Sequence, residues 1–287
     1  MNLEKSQFDP KRESFPGGFT VLMALYAGDR AKLFEAAVDS VFANALAPDQ
    51  FLIVVDGPIP APLNTSIKCL QNLYPLIEFI YLAENKGLAN ALNTAMGYVK
   101  FQWIVRADAD DINLPERFCT LAKVCIDNPD IALVGSSILE LDEQGHALAI
   151  RELPSSETAI RQFAKTRNPF NHMTVAYRLE AALACGAYPH IFLKEDYGLW
   201  CYFLAKGYRV MNINTILVHA SAGMSMFRRR GGWRYAKSEW QMQKLLVQCG
   251  LKNNWRAFLD GILRAGFFLI PSGVRGFIYL HFLRKSI

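Results

Sequence analysis

A chain of 287 residues with 31 Lys+Arg and 26 Asp+Glu carries a formal charge of only +5. At 52% hydrophobic and 20% charged it has apolar surface for a sizeable core, which excludes a disordered or collagen-like protein. The charge is unevenly spread: residues 1–223 hold 19 basic and 24 acidic side chains, while the last 64 hold 12 and 2. A mildly acidic body is joined to a strongly basic tail.

The six cysteines are scattered without CxxC or Cys/His ligand spacing, so neither a disulfide framework nor a zinc ribbon is expected. The start, MNLEKSQFDPKRESF, lacks the apolar core of a secretory signal. No stretch reaches the ~18 uncharged apolar residues of a membrane span; the nearest, Ala265 to Val274, is broken by Pro271. The expectation is a chain that stays inside the cell and does not cross a bilayer.

In chain order, FTVLMALY (19–26) is an apolar, β-branched run that predicts a buried strand. A helix is predicted over 31–44, where Leu33, Ala37, Val38 and Val41 recur at helical spacing. FLIVVDG (51–57) is a second strand, followed by a helix over 63–74, a short strand at 78–82 and a helix over 88–100. QWIVRAD (102–108) is the fourth strand. A helix over 116–126, a strand over 131–141 and a hairpin return over 147–151 follow. Such alternation predicts an α/β fold with a mostly parallel sheet covered by helices on both faces. Ligands bind such sheets beyond the carboxyl ends of the strands, where Tyr26, Asp56 and Asp108 stand.

Asp108-Ala-Asp110-Asp111 ends the fourth strand. Three carboxylates in four residues repel one another unless a cation lies among them, and a hard ion, Mn²⁺ or Mg²⁺, with a substrate diphosphate is the expected partner. A solvated acidic turn or helix cap is the competing reading, and the position at the ligand edge weighs against it. Glu195-Asp196 opens a helix predicted from KEDYGLWCYFLAKGY (194–208). Acids there complement the helix dipole; beside a metal cluster, one of them also suits a general base that takes a proton from an incoming hydroxyl. Asn85-Lys86-Gly87 starts a helix, so its backbone N–H groups and Lys86 suit a phosphate, or form a plain helix start. Asp56 suits a base or ribose, or a simple turn.

Taken together, VLMALY, VVDGP, ENKGLANALNTAM, RADADDINLPERF, NPFNHMTVAYR and KEDYGLWCYFLAKGY resemble, in that order, a family-2 glycosyltransferase of the GT-A fold, over roughly residues 19–220. The resemblance implies a nucleotide-sugar donor, a divalent metal and inversion at the anomeric carbon. It places Tyr26 and Asp56 at the nucleotide, Asp108 near ribose and metal, and Asp110 on the metal. Asp196 becomes the base, supported by Glu195. His172 and Trp200 border the acceptor, and His219 lies where some members supply a further donor or metal contact. Two positions depart from the pattern: Val55 stands where many members have a first acid, and Leu92 where many have an arginine.

The tail packs Arg228, Arg229, Arg230, Arg234 and Lys237 among Trp233, Tyr235 and Trp240, and ends in aromatic, aliphatic sequence. So apolar a tail argues against nucleic acid and for an interfacial, lipid-facing segment. A helical pair packed on the body is the alternative, and Arg228 also suits an acceptor or donor phosphate. The organisation expected is a flexible N-terminal segment (1–17), a catalytic domain (18–223) and a basic, amphipathic helical extension (224–287). The function expected is transfer of a sugar from a nucleoside-diphosphate sugar, a UDP-sugar above others, to a lipid-linked saccharide of surface polysaccharide synthesis. The enzyme would sit peripherally on the inner face of the cytoplasmic membrane. A nucleotidyltransferase would need a Gly/Lys-rich loop after the first strand, where Tyr26-Ala-Gly-Asp-Arg30 stands; a catalytically silent nucleotide- or carbohydrate-binding module would not need both acidic motifs.

Overall fold

The computed structural model describes residues 14–222 and 231–269. Most of the expected N-terminal segment and Arg228–Arg230 lie outside the described residues.

The first half alternates as predicted: β1 (Phe19–Leu25), α1 (Ala31–Phe42), β2 (Gln50–Val55), α2 (Ala61–Leu73), β3 (Ile77–Tyr81), α3 (Leu88–Met96) and β4 (Trp103–Asp108). These four strands run parallel in the order β3-β2-β1-β4. Their apolar character is nearly continuous because both faces are covered. Val21, Met23 and Leu25 enter one core with Phe34, Val38, Leu63 and Phe118. Leu22, Leu52 and Val54 enter the opposite core with Leu92, Met96 and Trp200. The helix predicted to Lys100 stops at Met96, with Gly97 as its cap; Gln50 then takes up Tyr98 O and Lys100 N through its side chain at 3.1 Å each.

The second half breaks the parallel pattern. It comprises β5 (Ile112–Asn113), α4 (Arg117–Asp127), β6 (Ile131–Leu141), β7 (Ala147–Arg151), α5 (Glu157–Phe163), a 3-10 turn (His172–Thr174), β8 (Ala176–Arg178), α6 (Leu179–Ala184), α7 (Glu195–Ala205) and β9 (Arg209–Ser221). β8 runs antiparallel between β4 and β6, and β9 pairs parallel with β6 and antiparallel with β5. Among the described residues the result is one nine-stranded mixed sheet, with β7 hairpinned onto β6. β5 and β9 are brought together at Ile112↔His219, so the end of β9 lies against the acidic turn that follows β4.

The extension forms two helices, α8 (Trp233–Gln248) and α9 (Asn254–Leu269). α8 packs on the body: Met242, Leu245 and Leu246 are buried in the core that also holds α7 residues Leu199, Trp200 and Phe203. The packed helical pair foreseen as an alternative is therefore present among the described residues. No described helix is long and apolar enough to cross a membrane.

Candidate active site

The acidic turn is built on two buried cations. Arg106 sits in β4 among apolar neighbours and is 1% exposed. It donates through Nη1 to Leu22 O at 2.8 Å and to Ala107 O, and through Nη2 to Asp108 Oδ1 at 2.6 Å. Arg117, at the start of α4 and fully buried, donates to Arg106 O at 2.7 Å and to Asn113 Oδ1. Burial pulls its guanidinium down to about 9, which leaves it protonated at neutral pH. Burying a bare cation costs several kcal/mol (about that much per ion) unless it is paired. The aspartates of the turn answer that charge: Asp108 pairs with Arg106, and Asp108 and Asp111 favour the charged form of Arg117.

They do so in different ways. Asp108 is partly exposed and held by Arg106. Asp110 is partly exposed, and its carbonyl accepts from Ser221 Oγ at 2.6 Å. Asp111 points inward: Oδ1 accepts from Ser221 N at 2.9 Å, while Oδ2 is buried without a hydrogen-bond partner. Burial, then the charges of Asp108 and Asp110, hold its carboxyl well above the usual carboxylate range; Ser221 N–H and Arg117 oppose this. Asp108 and Asp110 are thus the acids that face solvent, and Asp111 braces the turn from behind.

No cluster of three His, Cys, Asp or Glu side chains converges on a point among the described residues. Mn²⁺ or Mg²⁺ commonly needs no such cage: it takes one or two protein carboxylates and completes its shell with phosphate and water. Two partly exposed hard-oxygen donors, backed by the Asp111 Oδ2 that has no hydrogen-bond partner among the described residues, fit that kind of ion.

At the end of β2, Asp56 is buried and accepts from Lys86 N and Gly87 N, at 3.0 Å each. This corrects the expectation that those N–H groups are available to a phosphate. Each Asp56 oxygen retains a second lone pair for a ligand. Gly57 (φ +83°) permits the close approach: a Cβ there would meet Asn85 N at 2.4 Å. Lys86 itself is exposed, its ammonium 2.8 Å from Glu84, an ion pair weak enough to be exchanged for a ligand. Tyr26 is 38% exposed at the mouth of β1, its backbone N–H held by Asp29 Oδ2 at 2.9 Å.

The second acidic pair opens α7. The segment before it contains two non-glycine residues with left-handed backbone, Ala187 (φ 63°) and Leu193 (φ 54°). Such strain is tolerated where surrounding contacts over-determine the chain, and it clusters at functional sites. Here the contacts are visible. Asn93 of α3 brackets Tyr188, Nδ2 donating to Tyr188 O and Oδ1 accepting from Tyr188 N, at 2.9 Å each. Lys194 makes a buried ion pair with Glu239 of α8 at 2.9 Å and donates to Tyr235 OH at 3.0 Å. Arg234 stacks over Phe192, 3.9 Å from the ring centroid. The extension therefore grips the residue directly before the acidic pair.

Asp196 is partly exposed. Its Oδ2 accepts from Asn168 Nδ2 at 2.5 Å and its Oδ1 from Tyr197 N at 2.7 Å. Glu195 is buried, and that burial, followed by the charge of Asp196, pushes its carboxyl up to about 7. Neighbouring carboxyl groups with separated affinities for protons take separate acid–base roles. A raised folded-state value means that Glu195 contributes stability below its unfolded value, and that contribution is lost as pH rises through about 7. Glu195→Gln is accordingly expected to flatten the decline in unfolding free energy between pH 5 and pH 8, by up to about 3 kcal/mol. Urea titrations at the two pH values check this, and equal slopes for the two proteins would contradict it.

His172 and Trp200 form the floor below this edge. His172 Nε2 lies 3.0 Å from Tyr188 OH, which lies 3.0 Å from Tyr177 OH. Burial, then the charge of Arg106, holds the imidazole well below its usual range, so it is neutral. The expectation that Trp200 touches an acceptor is corrected. Its side chain is 0% exposed and packs edge-on to Phe170, His172, Tyr177 and Phe203. The apolar spacing of α7, which places Trp200 with Leu199 and Phe203, carries that signal. His219 lies opposite Ile112, and Arg228 is outside the described residues.

Sequence reasoning passed over Arg106, Arg117, Asn168, Tyr188, Lys194 and Ser221. One signal was available for Arg106: a cation inside an apolar strand, two residues before an aspartate. The others join segments 11 to 111 residues apart, beyond the reach of a motif.

The glycosyl transferase family 2 sequence profile matches residues 20–192. Amylovoran biosynthesis glycosyltransferase AmsE of Erwinia amylovora is 34% identical over 261 residues, covering 91% of this chain and 97% of its own. A UDP-Gal:alpha-D-GlcNAc-diphosphoundecaprenol beta-1,3-galactosyltransferase of Escherichia coli is 32% identical over 270 residues, covering 94% and 98%. Among solved structures, the mannosyltransferase PcManGT of Pyrobaculum calidifontis, in complex with GDP-Man and Mn²⁺, superposes with a TM-score of 0.65 at 15% identity, over 96% of this chain and 78% of that one. S. aureus TarS 1–349 with UDP-GlcNAc superposes at 0.62 and 14%, over 93% and 76%. These structural likenesses establish the fold, which is GT-A.

Proposed function

The chain belongs to glycosyltransferase family 2, and on that premise we propose that it is an inverting enzyme of surface polysaccharide synthesis. It takes a hexose or related sugar from a UDP-sugar and passes it to a lipid-linked saccharide at the inner face of a membrane. The observation that carries this reading is Arg106. Its guanidinium is bonded to Asp108, and its charge is felt at His172, Tyr188 and Glu195. On this reading the donor edge and the acidic pair of α7 are two sides of one site. The E. coli relative, named for UDP-Gal and a diphosphoundecaprenol-linked acceptor, supports both substrate classes.

In this mechanism Tyr26 and Asp56 hold the nucleotide, and Lys86 approaches the diphosphate. Asp196, partly exposed and oriented by Asn168, takes the proton of the acceptor hydroxyl. The freed oxygen bonds to the anomeric carbon from the face opposite the diphosphate. The bond from that carbon to the diphosphate oxygen breaks, and the diphosphate leaves with the electron pair. Asp108 and Asp110 would hold a divalent cation, which when bound neutralises charge on the leaving diphosphate. Glu195, buried with a raised affinity for protons, keeps like charge off Asp196 around neutral pH. His172 stays neutral beside Tyr188 and lines the acceptor side.

The test is release of nucleoside diphosphate from a panel of nucleotide sugars with Mn²⁺. UDP-sugars are expected to turn over fastest, with loss on chelation. Asp110→Ala is expected to weaken Mn²⁺-dependent UDP binding at least tenfold in calorimetry, and unchanged affinity would remove Asp110 as a ligand.

A further inference from the structure

α9 is packed the wrong way round for a helix that ends its burial at α8. The residues it turns inward are small: Ala257, Gly261 and Ala265 are buried, and a Cβ on Gly261 would meet the Trp240 ring at 2.8 Å. The residues it turns outward are large. Trp255 and Leu263 are each 70% exposed, and Phe258, Leu259 and Ile262 lie at 41–49%. They recur at i, i+3, i+4, i+7 and i+8, one continuous stripe along a helix of 16 residues, about 24 Å. An apolar stripe of this size on a folded surface marks a docking face.

The charge around it selects the occupant. Both acids of the hairpin are consumed internally: Glu239 by Lys194, and Asp260 by Lys252 at 2.8 Å. Cations remain in excess: Lys237, Lys244 and Arg256 stand exposed, as does Arg234 where it stacks on Phe192. The chain beyond α9 adds Arg275, Arg284 and Lys285 with no acid. A second copy would bring like charges together around the stripe. An anionic surface with an apolar interior complements both features.

We propose that the outward face of α9 is the surface by which the protein docks on an anionic lipid bilayer, lying in its interface. This rests on the reading of a lipid-linked acceptor and names the face that meets the membrane. Through α8, the Lys194–Glu239 pair ties the docked hairpin to the residue before Glu195 and Asp196. Docking on α9 thereby fixes the acidic pair relative to the lipid surface.

The full chain is sedimented with vesicles of phosphatidylglycerol and phosphatidylcholine, or of phosphatidylcholine alone. Wild type is expected to bind the anionic vesicles and to release from them as salt rises. The double variant Trp255→Glu, Leu263→Glu alters only exposed side chains. It is expected to lose at least tenfold in vesicle affinity, with unchanged thermal unfolding and unchanged donor hydrolysis in detergent. Three results would overturn the proposal: equal binding by the double variant, equal binding to neutral vesicles, or a wild-type dimer that the substitutions dissociate without any vesicle binding. Vesicle binding and donor turnover are separate readouts. A wild type that turns over donor but binds no anionic vesicles refutes docking alone, whereas wild-type docking with no turnover on any nucleotide sugar refutes the proposed transfer.

Discussion

Asp196→Asn is expected to reduce sugar transfer by a factor of about 10² to 10⁴, the range that a general base contributes, while leaving nucleotide binding within twofold. The substitution is nearly isosteric and keeps one oxygen, which can accept from Asn168 or from Tyr197 N but not from both. It removes the capacity to take a proton together with one of these two hydrogen bonds. The surrounding anchors do not depend on that charge: Asn93 brackets Tyr188, and Glu239 holds Lys194 from α8. Folding should therefore be unchanged, and thermal unfolding verifies it. Initial rates with donor and acceptor, together with UDP calorimetry, separate a lost base from a lost donor site. Wild-type turnover in the Asn variant would sink the assignment of Asp196. A loss confined to donor affinity would move it to the nucleotide.

The second large effect is on stability. Arg106→Met keeps length and apolar bulk but removes every hydrogen bond of a fully enclosed guanidinium. Leu22 O and Ala107 O lose its donation, and Asp108 loses the ion pair it makes with Arg106. Removing one member of a buried ion pair costs about 3–5 kcal/mol. Asp108 is partly exposed and can recover some hydration, so the lower end of that range is expected. Against a total of about 5–15 kcal/mol, this is a major fraction, and urea unfolding measures it directly. A change under about 1 kcal/mol, within the range of an exposed pair, would mean that the pair is not desolvated as its geometry implies. The same variant should also raise the affinity of His172 for protons, since Arg106 is one of the charges that suppress it.

The parts of the fold that were legible share a physical cause. β1, β2 and β4 are apolar at consecutive positions because helices cover both faces, and that pattern is visible in a window of seven residues. α7 was legible because Leu199, Trp200 and Phe203 recur at helical spacing after two acids suited to a helix N-terminus. The antiparallel insertion of β8 between β4 and β6 was not legible. Three residues, Ala176–Arg178, carry no periodicity, and only the partners at Trp103–Val105 and Leu133–Val134 make them a strand.

The candidate site divides in the same manner. Asp108, Asp110 and Asp196 stand out as types of residue at element ends, where backbone geometry exposes a side chain at the sheet edge. Trp200 is the reverse case: the apolar spacing it shares with Leu199 and Phe203 marks it as core, against its assignment to the acceptor. Asp56 was legible as the acid that follows β2, yet its hold on Lys86 N and Gly87 N depends on a loop thirty residues away folding back over Gly57.

By itself the sequence determined the alternation of strands and helices, the placement of two acidic motifs at strand and helix ends, and the division into acidic body and basic tail. All three follow from periodicity, capping chemistry and charge, which act over one or two turns of chain. Only the tertiary structure decided that Arg106 and Arg117 lie beneath the aspartates, and that α9 packs small residues inward and large ones outward. Those outcomes depend on which side chain desolvates which, a property of contacts between distant segments. The cost of burying a charge is settled only once its partner has arrived.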